Sequence, residues 1–279
     1  MSERLDQMLR STKAEGRSAF VPYLMLGDPS AQATLAFAKA LVRAGADMLE
    51  LGLPFSDPPA DGPVLQRAAQ RALAAGMSTR KALTLLAEIR SACDVPLSLL
   101  CYANPVERYG VERFYADMAA AGVDAVLVAD VPIEEAEPYA AAARSAGVAP
   151  ILLASALSDS ARLGRIGAVG GGYVYATARV GITGEQRGVA DDLQATVARI
   201  ASATGLPVVV GFGLSSPAHV AAVALTGADG IIVGSALAQL VENALAGDPT
   251  NIEQAFKEIE QFSEPCRAAC AVPSRSPLC

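Results

Sequence analysis

Histidine is almost missing from this 279-residue chain, where His219 is the single example. One imidazole cannot build a zinc site with cysteines as scattered as Cys93, Cys101, Cys266, Cys270 and Cys279, and His219 lies in a stretch that reads as the surface of a helix. The five cysteines are odd in number and show neither a metal-ligand spacing nor a disulfide framework, which makes the cytosol the expected compartment. Lysine is scarce as well. Lys13, Lys39, Lys81 and Lys257 all fall away from the ends of strand-like runs, which argues against a Schiff-base aldolase. Positive charge is in deficit, with 22 Lys and Arg against 29 Asp and Glu, so a nucleic-acid partner is not expected. Met1 to Ser18 is too polar for a signal peptide, and the longest apolar runs, such as Ala146 to Leu157, are too short to span a bilayer. No dinucleotide fingerprint follows the first strand-like run.

The chain does have apolar residues, at 52%, enough for a large core. They come in an alternating order of runs. Ser2 to Glu15 has a helical spacing at Leu5, Met8 and Leu9, and covers one end of the core. Strand-like runs follow at Ala19–Leu26, Ala46–Leu51, Pro96–Tyr102, Asp124–Ala129, Pro150–Leu153, Tyr173–Thr177, Pro207–Val210 and Gly230–Val233. Between them lie helical patterns opened by Ser30, Ser78 and Ser235, or centred on Val111–Ala121, Glu134–Ser145, Ser158–Ile166 and Asp191–Ala203, with a last helix at Ile252–Phe262. Ala44-Gly45-Ala46-Asp47 recurs as Ala121-Gly122-Val123-Asp124 and Thr226-Gly227-Ala228-Asp229, each placing a helix-ending glycine before a strand. Eight strands alternating with helices predict an α/β fold, a single (β/α)8 TIM barrel with an additional N-terminal helix. The expected domain covers residues 1–264, and 265–279 reads as a loose tail without periodicity.

The stretch Leu49 to Pro63 is where chemistry is expected. Glu50 sits at the end of a buried strand, and the Pro-, Gly- and Ser-rich loop beyond it carries Asp57 and Asp61. Acids can brace turns or cap a strand, but burying Glu50 without a purpose is costly, and two carboxylates at one strand exit suit acid–base work. In a barrel, function sits on the loops after the strands, and phosphate often sits after the seventh and eighth. Those positions read Gly211-Phe212-Gly213-Leu214-Ser215 and Gly234-Ser235, where small residues and a helix N-terminus favour an anion.

Glu50-Leu51-Gly52-Leu53-Pro54-Phe55-Ser56-Asp57-Pro58, followed by Ala60-Asp61-Gly62-Pro63, closely resembles the signature of the tryptophan synthase alpha chain family. The resemblance continues through Phe20-Val21-Pro22, Leu26-Gly27-Asp28-Pro29, Tyr102-Ala103-Asn104-Pro105, Ala129-Asp130-Val131-Pro132, Gly181-Ile182-Thr183-Gly184 and Gly211-Phe212-Gly213. It implies retro-aldol cleavage of indole-3-glycerol phosphate to indole and glyceraldehyde 3-phosphate, with no cofactor or metal in this chain. It also implies a tryptophan synthase beta chain as partner, in an alpha2beta2 heterotetramer whose beta chain carries pyridoxal phosphate. Carried over by position, Glu50 matches the general acid–base group, and Asp61 the acid that holds the indole N–H. Gly184, Gly213, Gly234 and Ser235 match the phosphate binders. Tyr23, Leu100, Tyr102, Leu127, Ala129 and Tyr175 match substrate-pocket positions, and Thr183 a loop residue that meets Asp61 on closure. Asp57, Asn104 and Pro132 lie on loops that face the beta chain in the family. A stand-alone lyase that releases free indole is the alternative. A non-catalytic barrel that only activates a partner is a third reading, against which the pairing of Glu50 with Asp61 argues.

Overall fold

In the computed structural model, which describes residues 2–177, 186–211, 213–247 and 252–271, eight parallel strands form a closed barrel. They are β1 Ala19–Met25, β2 Leu49–Gly52, β3 Leu97–Cys101, β4 Ala125–Val128, β5 Ala149–Ser155, β6 Val174–Thr177, β7 Val208–Gly211 and β8 Gly230–Val233, with β8 pairing back to β1. Helices α1 Glu3–Ala14, α2 Ala31–Arg43, α3 Pro63–Ala74, α4 Thr79–Ala92, α5 Ala103–Tyr109 and α6 Val111–Ala120 belong to the first half of the chain. Helices α7 Glu137–Ser145, α8 Ser160–Val169, α9 Gln186–Thr204, α10 Pro217–Ala224, α11 Ser235–Gly247 and α12 Ile252–Ala269 follow. The expected (β/α)8 barrel and its additional first helix are both present.

Strands buried on both faces need continuous apolar runs rather than alternation, and β1, β2, β4, β7 and β8 are buried at every residue. Around this sheet the helices bury one stripe each. In α2, Phe37 and Leu41 are fully covered, each adding roughly 1.5–3 kcal/mol by leaving water. Ser30 caps that helix by accepting the Ala33 N–H at 3.2 Å, and Ser78 caps α4 through Lys81 at 3.4 Å. At the N-terminal end of the barrel, Leu5 of α1 is fully buried and lies so close to Gly172 that a Cβ there would come within 2.9 Å of it.

The recurring Gly-x-Asp at the strand entrances acquires a second meaning. Gly45, Gly122 and Gly227 hold φ of +92°, +85° and +85°, the left-handed turn that ends a helix. The aspartate two residues on then reaches sideways to the neighbouring strand. Asp47 accepts the Phe20 N–H, Asp124 the Leu97 N–H and Asp229 the Val208 N–H, each at 2.8 Å. Three strand starts that the ladder leaves unpaired are thus satisfied by side chains. Asp124 also receives Arg4 at 2.8 Å, Arg90 at 3.5 Å and the Ser2 hydroxyl. Asp124→Ala orphans the buried Leu97 N–H and removes the carboxylate that Arg4 and Arg90 share, so urea unfolding should show a loss of about 3 kcal/mol with an unchanged m value. A loss within about 0.5 kcal/mol, the range of an ordinary surface substitution, would remove this role.

The fold departs from the sequence-based expectation in three places. Helix α3 occupies 63–74, between the acidic loop and Ser78, where no helix is expected; Pro63 at its first turn starts it without loss of a hydrogen bond. Asn104 and Pro105 belong to α5 rather than to a loop. The tail does not begin at Pro265. Helix α12 continues through Pro265 to Ala269, because Ala255, Ile259, Ser263 and Cys266 form one continuous buried stripe that outweighs one missing N–H. Cys266 and Cys270 are fully buried and pack as small apolar side chains, and the Cys270 carbonyl accepts the Ser18 N–H at 3.1 Å. Among the described residues, no helix is long and apolar enough to cross a membrane.

Candidate active site

At the C-terminal end of the barrel, alternate strand residues point inward and leave a cavity of about 430 Å³. Tyr23 of β1, Glu50 of β2, Leu100 of β3, Leu127 of β4 and Tyr175 of β6 line it, with Ala129 beyond β4 and Tyr102 beyond β3. Its walls are overwhelmingly apolar, which suits a flat aromatic group.

Glu50 is the exception. It is 1% exposed, and its Oε1 has no hydrogen-bond partner among the described residues. Burial first, and then the charge of Asp61, push its carboxyl up to about 8, so the group holds a proton at neutral pH. Asp61 is raised as well, by burial, with the nearby Tyr102 hydroxyl working in the opposite direction. Among the described residues the Tyr102 hydroxyl has no well-formed partner, and its ring packs on Phe55 at 5.7 Å between centroids. Beside Glu50, across β2 and β3, lies Ser98, whose hydroxyl is 2.9 Å from that of Tyr173. Two tyrosines lean over glycines. A Cβ on Gly52 would fall 1.9 Å from the Tyr23 hydroxyl, and one on Gly211 would fall 2.2 Å from the Tyr175 hydroxyl. Any larger residue at either glycine would displace a ring from the cavity.

Opposite the acids, Gly213, Gly234 and Ser235 line the same cavity. Gly213 has φ +72°, a conformation that strains other residues. The Gly234 carbonyl accepts the Ala238 N–H at 3.1 Å, so Gly234 is the N-cap of α11 and the free N–H groups of the next residues open toward the cavity. A helix N-terminus, whose dipole favours negative charge, therefore opens onto the same apolar cavity as two carboxylates.

The acid loop is anchored to this end. The Asp61 backbone is held at its N–H by Pro58 at 3.4 Å and at its carbonyl by Gln66 at 2.9 Å. Helix α3, which follows it, carries Arg71 into a bidentate pair with the buried Asp28, both contacts at 2.8 Å, and on to Glu242 of α11 at 3.1 Å. One arginine thus ties the helix after Asp61 to the helix that starts at Ser235.

The cavity brings together Glu50, Asp61, Tyr23, Leu100, Tyr102, Leu127, Ala129, Tyr175, Gly213, Gly234 and Ser235. Thr183 and Gly184 lie outside the described residues. Leu153, Thr177 and Ile232 also line it, together with Val64 and Leu65 just beyond the acidic loop, and none of these is singled out by the sequence. Leu153 lies in register with Tyr175, and Ile232 with Val21 two residues before Tyr23, so their facing follows from strand register, which no local sequence signal carries. No group of three or more His, Cys, Asp or Glu side chains among the described residues could hold a metal ion.

Comparison with known proteins agrees with this geometry. A sequence model described as tryptophan synthase alpha chain matches residues 9–269. The tryptophan synthase alpha chain of Caulobacter sp. strain K31 is 43% identical over 268 residues, covering 96% of this chain and 97% of that one. That of Methanoregula boonei is 42% identical over 240 residues, covering 86% of this chain and 90% of the relative. The crystal structure of tryptophan synthase subunit alpha from Legionella pneumophila superposes with a TM-score of 0.87 at 32% identity, over 97% of this chain and 99% of that one. The chain therefore belongs to the tryptophan synthase alpha chain family, lyases that act as the alpha subunit in tryptophan biosynthesis.

Proposed function

We propose that the cavity cleaves indole-3-glycerol phosphate with Glu50 and Asp61 as its working groups. The observation that carries this reading is a buried, unpartnered, proton-bearing Glu50 at the base of an apolar slot that ends in a helix N-terminus. The phosphate would sit on the N–H groups beyond Gly234 and the indole ring among Leu100, Leu127 and Ala129. Glu50 gives its proton to the ring carbon that carries the glycerol chain. Positive charge then develops at the indole nitrogen, whose N–H Asp61 holds and neutralises. The Glu50 carboxylate left behind takes the proton of the chain hydroxyl next to the ring as the carbon–carbon bond breaks. Indole and glyceraldehyde 3-phosphate leave, and Glu50 is protonated again, ready for the next cycle. Burial serves both steps, because a group with a proton affinity near neutrality can give and accept at the same pH.

The reading extends to a partner. The rim beside the cavity, formed by Asp130, Val131, Pro132, Leu153 and Arg162, encloses a second hollow of about 220 Å³, and Leu157 beyond it is 94% exposed. This rim, with Asp57 and Asn104, supports docking of a beta chain that carries pyridoxal phosphate, in an alpha2beta2 assembly in the cytosol. Thr183, which lies in sequence between β6 and α9, would meet Asp61 when that assembly closes the site. The test is steady-state indole release from indole-3-glycerol phosphate, alone and with saturating beta chain. Release that rises at least tenfold with the beta chain requires about 1.4 kcal/mol of coupling, which an interface readily supplies. Full activity without a beta chain, unchanged on adding it, would instead make this a stand-alone lyase.

A further inference from the structure

Tyr23 occupies a place that the acid–base scheme leaves unused. It pairs with Glu50 in register across β1 and β2, and both line the cavity. Its ring spans the gap between the two halves of the site. At its base, Tyr23 Cβ lies 3.3 Å from where a Cβ on Gly234 would be, at the anion end. At its tip, the hydroxyl hangs over Gly52, two residues beyond Glu50, in space that only glycine leaves free. Among the described residues, the hydroxyl is satisfied by nothing stronger than the Met25 thioether at 3.7 Å, a weak acceptor. A buried hydroxyl with so poor a partner loses little by turning to a better one.

We propose that the Tyr23 hydroxyl is a catalytic hydrogen-bond donor to the oxygen of the glycerol chain on which the aldehyde forms. The inference rests on the cleavage reading above. A substrate whose phosphate is at Gly234 and whose indole is between Leu100 and Leu127 must lay its chain along the Tyr23 ring. Burial, then Asp61 and Glu50, keep the phenol protonated, so it acts as a donor and never competes with Glu50 as a base. As Glu50 removes the hydroxyl proton, negative charge grows on that oxygen before the carbonyl is complete. A donor fixed beforehand at that point stabilises the transition state more than the ground state.

Tyr23→Phe removes the oxygen and keeps the ring. In the full-length protein, with and without beta chain, kcat for cleavage of indole-3-glycerol phosphate should fall roughly tenfold to a hundredfold, toward the lower end for loss of one preorganised donor. Calorimetric affinities for glycerol 3-phosphate and for indole should change less than about threefold, and the unfolding midpoint should stay in place, a split that a packing role would not produce. A Tyr23→Phe protein with kcat within twofold of an active wild type would overturn the inference while leaving the reaction intact. A wild type without cleavage activity under either condition would overturn the reaction itself, and the inference with it.

Discussion

Glu50→Gln should abolish cleavage of indole-3-glycerol phosphate, by 100-fold or more in kcat, and at the same time yield a more stable protein. The first effect follows from the role. Gln has the shape of the protonated acid but no proton to give to the ring carbon and no carboxylate to receive one back, and a positioned acid–base group supplies on the order of 100-fold or more. The second follows from burial. The folded-state proton affinity of Glu50 lies at about 8 against an ordinary 4.5, so the folded chain binds this proton more tightly than the unfolded chain. With respect to this group, stability is at its highest below the unfolded value and is lost as pH climbs from there to the folded value, because the unfolded chain ionises first. At about 1.4 kcal/mol per unit, the loss above pH 8 is on the order of 5 kcal/mol. Glu50→Gln removes that slope. Urea unfolding should therefore find the variant and wild type close together near the unfolded value, and the variant ahead by a few kcal/mol in alkaline buffer. Wild-type turnover should decline through the same alkaline range as the essential proton is lost. A variant that retains turnover would remove Glu50 from the mechanism; one equally stable at every pH would show that the carboxylate is solvated after all.

Gly234→Asp is expected to cost at least 100-fold in affinity for glycerol 3-phosphate while the barrel stays folded. Gly234 is the N-cap of α11, and aspartate is among the best N-cap residues, so its carboxylate would accept the same N–H groups that are offered to a phosphate. The site would be filled from within and would carry a like charge. Helix stability should hold or rise, and a two-order loss of affinity, about 2.7 kcal/mol, should appear in calorimetry. Gly234→Ala is the control. Its Cβ would lie 3.3 Å from that of Tyr23, close enough to require a shift of a few tenths of an ångström, with no charge added. It should bind the anion with a much smaller loss. Unchanged affinity in the aspartate variant would separate the N-terminus of α11 from phosphate binding.

What the sequence determined by itself is local or periodic. Eight apolar runs separated by helical patterns and punctuated by Gly45, Gly122 and Gly227 already specify a barrel, because each element answers to its own residues and caps. Glu50 at the end of such a run, and the loop from Pro54 to Pro63, mark the site without any coordinates. Helix α3 is not legible in the sequence because the proline- and glycine-rich loop before it masks its start. The end of α12 is hidden because Pro265 breaks the helical pattern in the sequence, although Cys266 continues its buried stripe.

The tertiary structure alone decided which way the strand residues face. Strands buried on both sides carry no polar alternation, so nothing local tells that Leu153 and Ile232 look into the cavity while their neighbours look out. It decided that Asp47, Asp124 and Asp229 serve neighbouring strands, and that Arg71 joins Asp28 to Glu242, partners distant in sequence. Above all it decided the protonation of Glu50. Proton affinity is set by what surrounds a carboxyl, and those surroundings come from separate strands closing around it and from Asp61 brought back by its loop. A glutamate in a sequence is only an acid; the closed barrel, by burying this one beside Asp61, raises its proton affinity to about 8.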